Sequence, residues 1–223
     1  MTNLAIDGFE PVINYKFPKY NPIGNEEINH VVEVMRSGVL SGFIARGNKE
    51  FYGGPKVIEL ESQCEKMFGV KHAISVNSWT SGLVCAVGAL NIEPGDEIIV
   101  SPWTMCASAT AILHWNAIPR FVDIESDTFC INPDLIEESI NERTKAIMSV
   151  DIGGHPANIN KINGIAKKYN LKVISDTAQS PLAYDGNSMA GTSSDIGGFS
   201  LNFHKHINTG EGGILVTNCD KLA

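Results

Sequence analysis

Residues 146–176 read AIMSVDIGGHPANINKINGIAKKYNLKVISD, and their pattern decides the fold. Two short runs of mostly apolar residues, Ala146–Val150 and Val173–Ser175, enclose a stretch at 159–169 with helical spacing. Strands that are apolar almost throughout and are separated by helices are typical of a parallel sheet covered on both faces. The pattern therefore predicts a strand–helix–strand unit with a right-handed crossover.

The same alternation extends along the chain on both sides of this unit. Further strands are predicted at His72–Val76, Glu97–Ser101, Pro119–Val122, Gly197–Leu201 and Ile214–Thr217, and further helices at about 80–90, 105–115 and 133–140. We therefore predict an α/β fold with a mainly parallel sheet of seven strands.

The first 54 residues have a different pattern. Residues 1–24 are irregular and rich in proline, a helix is predicted over Glu26–Ser37 with Asn25 as its cap, and Gly38–Gly54 is a glycine-rich loop. Pro55 then starts a second helix that runs to about Phe68. We expect a division into an arm, helix and loop over 1–54 and a main domain over 55–223.

The composition excludes several classes of protein. Of 223 residues, 43% are hydrophobic and 19% charged, with a net charge of −8, which argues against binding to nucleic acid or to an anionic membrane surface. The longest clean apolar run is far shorter than the ~20 residues of a membrane-spanning helix, and the N-terminus lacks the pattern of a signal peptide. Five scattered cysteines indicate reduced thiols rather than disulfides or a zinc site. These features predict a cytoplasmic protein.

The familiar nucleotide and hydrolase fingerprints GxGxxG, GxxxxGK[ST] and GxSxG are missing from the sequence. In open parallel sheets, ligands bind beyond the carboxyl ends of the strands, so the residues that follow each strand are the candidates. Asn77–Gly82 forms a polar turn before a helix, which is either a phosphate site or an ordinary helix cap. Asp176 follows another strand and is either a site residue or a cap.

Lys205 stands in a segment with few other charges, between His204 and His206. Apolar neighbours and any nearby imidazolium favour the neutral amine, which is a nucleophile for carbonyl groups. The alternative is a solvated surface lysine. A metal site built on the two histidines is the weaker hypothesis because no third patterned ligand is present, and we predict no metal.

A phosphate site, a carboxylate and a reactive lysine on one sheet are together what pyridoxal 5′-phosphate requires. The phosphate anchors the cofactor, the carboxylate keeps the pyridine nitrogen protonated, and the lysine attaches to the cofactor and moves a proton.

The chain resembles the DegT/DnrJ/EryC1/StrS sugar aminotransferases, a family of fold-type-I pyridoxal-phosphate enzymes. The matching stretches are Gly69–Ala73, Val76–Leu83, Gly95–Pro102, Ile118–Asp123, Arg143–Ile147, Val173–Gln179 and Phe199–Gly213. The resemblance implies the three-layer α/β/α large domain of that fold type. It also implies a homodimer with the site at the interface. The apolar residues of the Gly38–Gly54 loop predict that this loop packs near the partner's cofactor site, and the alternative is that it folds back onto its own domain.

The resemblance assigns roles to particular residues. Lys205 is implied as the lysine that attaches to the cofactor, Asp176 as the partner of the pyridine nitrogen and Gln179 as a contact of the ring near its phenolic oxygen. The phosphate is assigned to Thr80, Ser81 and Ser200. The residue that covers the ring aligns with Met105, with Trp103 two positions earlier as the alternative.

The sequence departs from the family pattern at Trp79, Asp151 and Asn158, and these departures are expected to reshape the substrate pocket without touching the core chemistry. The C-terminal small domain of the family is expected to be absent from this chain. The implied activity is transfer of an amino group from an amino acid, glutamate being the expected donor, to a nucleotide-linked keto-sugar. The alternatives are a sugar dehydratase of the same family and a truncated binding or regulatory protein.

Overall fold

The computed structural model describes residues 4–42 and 49–223, without the side chains of Lys49 and Glu50. The chain falls into two compact units, Met1–Gly54 and Pro55–Ala223. The roles that the sequence assigns to these two parts stay predictions.

The first unit contains one α-helix, α1 over Asn25–Ser37, and short 3₁₀ turns at Ala5–Asp7 and Lys49–Tyr52 among its described residues. The predicted cap is wrong by one position, because Asn25 is the first helical residue and Gly24 is the cap. The carboxylate of Glu27 accepts the Gly24 N–H at 2.7 Å, so a side chain from inside the helix satisfies the end that Asn25 was expected to cap.

The second unit contains the predicted alternation of helices and strands. The helices are α2 (Pro55–Phe68), α3 (Trp79–Ala89), α4 (Ala107–His114) and α5 (Ile159–Tyr169). The strands are β1 (His72–Val76), β2 (Glu97–Val100), β3 (Ile118–Phe121), β4 (Thr144–Val150), β5 (Lys172–Asp176), β6 (Tyr184–Asp185), β7 (Ser188–Met189), β8 (Ile196–Ser200) and β9 (Gly213–Thr217).

Seven of these strands form one sheet in the order β1-β9-β8-β5-β4-β2-β3. Only β9 runs antiparallel to its neighbours, so the predicted mainly parallel seven-stranded sheet is confirmed. The short hairpin β6–β7 lies apart from this sheet. Because the six other strands point the same way, the residues after β1, β4, β5 and β8 all emerge at one edge of the sheet.

Apolar side chains cover both faces of the sheet, as the apolar strands predicted. On one face, α3 and α4 pack against residues such as Ile98, Met148 and Ile174. The opposite face has two clusters, one with α5 and one in which α2 packs on β1, β8 and β9. This arrangement is the predicted three-layer α/β/α architecture.

The predicted helix at 133–140 is wrong. The structure has two 3₁₀ turns there instead, Pro133–Leu135 and Glu137–Ser139. The side chain of Asn132 caps the first turn by accepting the Asp134 N–H at 3.0 Å. A segment this short gains little from α-helical hydrogen bonds, so local caps and burial of Ile136 determine its conformation.

None of the described helices combines the length and the apolar character that crossing a membrane requires. Within the same part of the chain, no group of three or more His, Cys, Asp and Glu side chains is arranged to hold a metal ion.

Candidate active site

A cavity of about 350 Å³ opens at the carboxyl edge of the sheet, within the second unit. Its volume lies in the range of about 300–1,000 Å³ that is usual for small-molecule sites. Six of the seven predicted site residues line it: Thr80, Met105, Asp176, Gln179, Ser200 and Lys205. Residues that are far apart in sequence therefore meet where the topology places a ligand.

Asp176 is the last residue of β5 and is buried at the base of this cavity. Its Oδ1 accepts the indole N–H of Trp79 at 2.7 Å, and its Oδ2 accepts the hydroxyl of Ser108 at 2.7 Å. The Ala178 N–H also approaches Oδ1, at 3.3 Å. Donors on both oxygens compensate for the burial of a carboxylate and fix its orientation.

Lys205 lies in the loop 201–212 that joins β8 to β9. Backbone hydrogen bonds close this loop on itself, from Leu201 N to Gly212 O at 2.9 Å and from Phe203 N to Gly210 O at 2.7 Å. The Lys205 N–H donates to Asn202 O at 2.8 Å, and the Lys205 side chain is half-buried. The loop therefore holds the lysine at the cavity through its own backbone.

The turn before α3 is a helix cap that also borders the cavity. Ser78 is the N-cap, and its hydroxyl accepts the Ser81 N–H at 3.1 Å. The Ser81 hydroxyl lies 3.0 Å from that of Ser78, and Ser81 is the one predicted site residue that does not line the cavity. Thr80 does line it, at the helix N-terminus where the first N–H groups have no partner within the helix.

Met105 and Trp103, the two candidates for the residue that covers the ring, lie in different places. Met105 lines the cavity, whereas Trp103 does not and instead faces Phe129, with the two ring centroids 5.9 Å apart. The Met105 sulfur accepts the Ala107 N–H at 3.1 Å. The position of Met105 supports its assignment over that of Trp103.

Gln179 is held by the loop that follows β4. Its side-chain oxygen accepts the Gly153 N–H at 2.8 Å. With the oxygen fixed on the loop, the amide nitrogen is the atom that can donate to a ligand in the cavity.

Two of the three sequence departures contact Asp176, and the third lies at a helix cap. Trp79 binds Asp176 directly. Asp151 is also buried beside it: its carboxylate accepts the Ala157 N–H and the Thr177 hydroxyl, each at 2.8 Å, and its backbone N–H donates to Asp176 O. The third, Asn158, caps α5 by accepting the Lys161 N–H at 3.1 Å.

Burial raises the pKa of Asp151 to about 6, and the nearby Asp176 carboxylate adds to the rise, although the bonds from Ala157 and Thr177 oppose it. Because the folded pKa is above the unfolded value, Asp151 contributes stability that is complete below about pH 4 and is lost as the pH rises through about 6. The shift corresponds to about 3 kcal/mol.

Replacing Asp151 with asparagine is expected to remove this pH dependence. The amide oxygen can accept the Ala157 N–H, and the amide nitrogen can donate to the Thr177 hydroxyl, so the fold is retained. We expect Asp151→Asn to gain stability over the wild type by up to about 3 kcal/mol between about pH 4 and about pH 8. Urea unfolding of both proteins across this range is the measurement, and a difference that stays constant with pH would contradict the assignment.

The sequence analysis gave no role in the site to Ser108, and it expected Trp79 only to reshape the substrate pocket. Ser108 carries no motif, and its contact with Asp176 spans 68 residues, so only the packing of α4 on the sheet reveals it. Trp79 stands inside the matching turn, but its bond to Asp176 spans 97 residues. The bulk of Trp79 within a turn of small residues was the available signal.

The geometry agrees with the comparisons with known proteins. The sequence profile of the DegT/DnrJ/EryC1/StrS aminotransferase family matches residues 21–223. The chain belongs to this family. Its sheet and layers are those of fold-type-I pyridoxal-phosphate enzymes, as the resemblance implied.

The names of two curated relatives refer to polysaccharide biosynthesis and to GDP-perosamine. The chain is 38% identical to the spore coat polysaccharide biosynthesis protein SpsC of Bacillus subtilis, over 90% of this chain and 49% of that protein. It is 36% identical to the GDP-perosamine synthase of Caulobacter vibrioides, over 96% of this chain and 54% of that protein. The chain thus spans about half the length of the curated relatives it matches.

Solved structures of similar fold include both an aminotransferase and a dehydratase. The aminotransferase from Psychrobacter cryohalolentis superimposes with a TM-score of 0.86 at 30% identity, over 93% of this chain and 50% of that one. The Escherichia coli GDP-4-keto-6-deoxy-D-mannose-3-dehydratase, solved with bound hydrated pyridoxal phosphate, superimposes with a TM-score of 0.81 at 27% identity, over 91% and 51%.

Proposed function

We propose that the full-length gene product is a pyridoxal 5′-phosphate-dependent aminotransferase. It transfers an amino group from an amino acid, glutamate being our choice of donor, to a nucleotide-linked keto-sugar in amino-sugar or surface polysaccharide biosynthesis. The observation that carries the proposal is that Lys205, the Asp176 carboxylate and the N-terminus of α3 share one cavity.

The residues of the cavity fit the parts of this cofactor. The helix N-terminus, with Thr80 and Ser200 beside it, supplies donors and a favourable dipole for a phosphate. The buried carboxylate of Asp176 suits a protonated pyridine nitrogen, and the amide nitrogen of Gln179 suits a phenolic oxygen. Pyridoxal 5′-phosphate, when bound, supplies an aldehyde that takes up the donor's amino group and a ring that accepts electrons from the substrate carbon.

Lys205 performs the proton transfer in this proposal. Its amine would hold the cofactor's aldehyde carbon until the donor's amine displaces it, and once free it would move a proton at the donor's α-carbon. Asp176 would keep the pyridine nitrogen protonated, and Met105 would keep water from one face of the ring. The same residues act in reverse on the ketone of the sugar.

The choice of substrate rests on relatives whose names refer to polysaccharide biosynthesis and to GDP-perosamine. The test is incubation of the full-length gene product with pyridoxal phosphate, glutamate and a set of nucleotide-linked keto-sugars, followed by mass spectrometry of the products. An amino sugar with equivalent 2-oxoglutarate supports the proposal. No nitrogen transfer to any keto-sugar would contradict it.

Sugar dehydration is the second candidate, and one observation favours it. His204 lines the cavity next to Lys205, and a dehydratase is among the similar structures. The resemblance to the family implies that its dehydratases typically carry histidine at the position that aligns with Lys205, and the lysine here supports transamination. In the same assay, a deoxy sugar without new nitrogen would identify a dehydratase.

We also propose a two-fold homodimer that includes the Gly38–Gly54 loop, since exposed apolar area costs roughly 25 cal/mol per Å² in water. Leu40 and Tyr52 are 68% and 69% exposed in the described part of the loop, whereas Phe43 and Ile44 lie outside the described residues.

Light scattering should give a dimer, and the double variant Leu40→Asp, Tyr52→Asp should dissociate it. Leu113→Asp, at a residue that is 56% exposed on α4, is the matched control. A monomeric wild type that still transaminates would contradict the dimer.

A further inference from the structure

Trp79 is a buried residue with a polar task. It is the first residue of α3, only 4% of its surface is exposed, and its Nε1–H donates to Asp176 Oδ1 at 2.7 Å. A buried indole needs an acceptor for its N–H, and a carboxylate is the strongest acceptor a protein offers. The bond joins the start of α3 to the end of β5, two of the elements that form the cavity.

Trp79 occupies space that is open because three neighbouring positions are glycines without a Cβ. A Cβ at Gly82 on α3 would lie 2.6 Å from Trp79 Cε3, and one at Gly198 on β8 would lie 2.2 Å from Cζ3. A Cβ at Gly213 on β9 would lie 2.8 Å from the Trp79 backbone nitrogen. Gly82 and Gly198 lie against the ring and Gly213 lies against the backbone, so the indole is closely packed with its N–H directed at Asp176.

The donors on Asp176 are distributed unequally between its two oxygens. Oδ1 receives Trp79 at 2.7 Å and Ala178 N–H at 3.3 Å, while Oδ2 receives the Ser108 hydroxyl at 2.7 Å. A carboxylate oxygen offers about two lone-pair directions. Oδ1 therefore has both directions used within the chain, and Oδ2 retains one.

We propose that Trp79 is a positioning residue that turns the Asp176 carboxylate so that Oδ2 accepts a protonated pyridine nitrogen in the cavity, with Ser108 fixing the same oxygen from behind. This inference rests on the proposed function, because it presumes the pyridine ring. Trp79 also lines the cavity, and the positioning role that we assign to it acts through its bond to Asp176. Without the indole N–H, the carboxylate rotates, and Oδ2 no longer faces the pyridine nitrogen in the same way.

The test compares two ligands that differ in one atom. Pyridoxal 5′-phosphate and the analogue with C–H in place of the pyridine nitrogen are titrated into the full-length gene product, and each dissociation constant is measured by equilibrium dialysis. Trp79→Phe keeps an aromatic ring in the same space and removes the N–H. We expect Trp79→Phe to weaken binding of pyridoxal phosphate about tenfold, the loss typical of one charge-assisted bond, and to leave binding of the analogue unchanged.

Trp115 provides the matched control. Its Nε1–H donates to Val84 O at 2.8 Å, and a Cβ at Gly88 would lie 2.2 Å from its Cζ2, so it too is an indole held against a glycine. Trp115→Phe removes an indole bond to a neutral carbonyl, without contact to Asp176, and should leave the ratio of the two dissociation constants at the wild-type value. Ser108→Ala removes the second donor and, like Trp79→Phe, should weaken the preference for pyridoxal phosphate over the analogue, so the orientation of Asp176 is tested even where Trp79→Phe fails to fold.

The outcomes separate this inference from the proposed function. A wild type that binds neither ligand overturns both. A wild type that prefers pyridoxal phosphate, with Trp79→Phe or Ser108→Ala retaining that preference in full, overturns the positioning role alone. A reduced preference in both variants, with Trp115→Phe unchanged, supports it.

Discussion

Replacing Lys205 with alanine is expected to abolish amino-group transfer. The loss should be at least the ~10²–10⁴-fold that a positioned acid–base group contributes, because the same amine also attaches to the cofactor. The loop 201–212 is held by backbone hydrogen bonds that this substitution leaves in place, so the folded structure should persist. The measurement is the single-turnover rate of 2-oxoglutarate formation, alongside thermal unfolding.

Two further variants make this result specific. Lys205→Arg keeps the positive charge, but a guanidinium neither gives up its proton nor attacks a carbonyl, so it should be as inactive as alanine. Lys145→Ala, at an exposed lysine on β4, should retain wild-type activity. Activity of Lys205→Arg near the wild-type rate would show that Lys205 acts through its charge alone, against the proposed chemistry.

Replacing Asp176 with asparagine is expected to have the next largest effect, a loss of about 10²–10³-fold in kcat, which is typical when one charge-stabilising group is removed. The amide oxygen can keep the Trp79 bond, and the amide nitrogen can donate to a rotated Ser108 hydroxyl. An NH₂ group then faces the pyridine nitrogen, where it favours the unprotonated ring. The variant should therefore fold and still bind the cofactor while losing turnover.

Asp151→Asn is the control for this prediction, since it removes the other buried carboxylate at the same edge of the sheet. Its kcat should stay within a few fold of the wild-type value. Steady-state kinetics of both variants at neutral pH, with cofactor saturation checked by absorbance, is the measurement. Equal losses in both variants would mean that buried charge at this edge, and not the position of Asp176, supports turnover.

The sheet could be predicted from the sequence because its strands are short, apolar and separated by helices. Each strand of the large sheet begins and ends within two residues of its predicted bounds. The segment at 133–140 was predicted wrongly because short helical spacing does not distinguish an α-helix from 3₁₀ turns. The hairpin β6–β7 was not predicted, since two-residue strands carry no periodicity.

The site could be predicted in part, because a parallel sheet brings the ends of its strands together. That rule places Thr80, Asp176, Ser200 and Lys205 at one edge from their order in the chain alone. The partners of Asp176 could not be predicted in this way. They depend on how the first turns of α3 and α4 pack over β5, which is a property of side-chain volume and of the glycines opposite Trp79.

The central claim is that Lys205 is the residue that attaches to pyridoxal 5′-phosphate in this cavity. The most direct test is to load the full-length gene product with the cofactor, make the lysine bond permanent with sodium borohydride, and locate the added phosphopyridoxyl group by peptide mass spectrometry. The structure predicts the label on Lys205 and its loss in Lys205→Arg. Label on another lysine, or no label on a protein that has bound the cofactor, would contradict the claim.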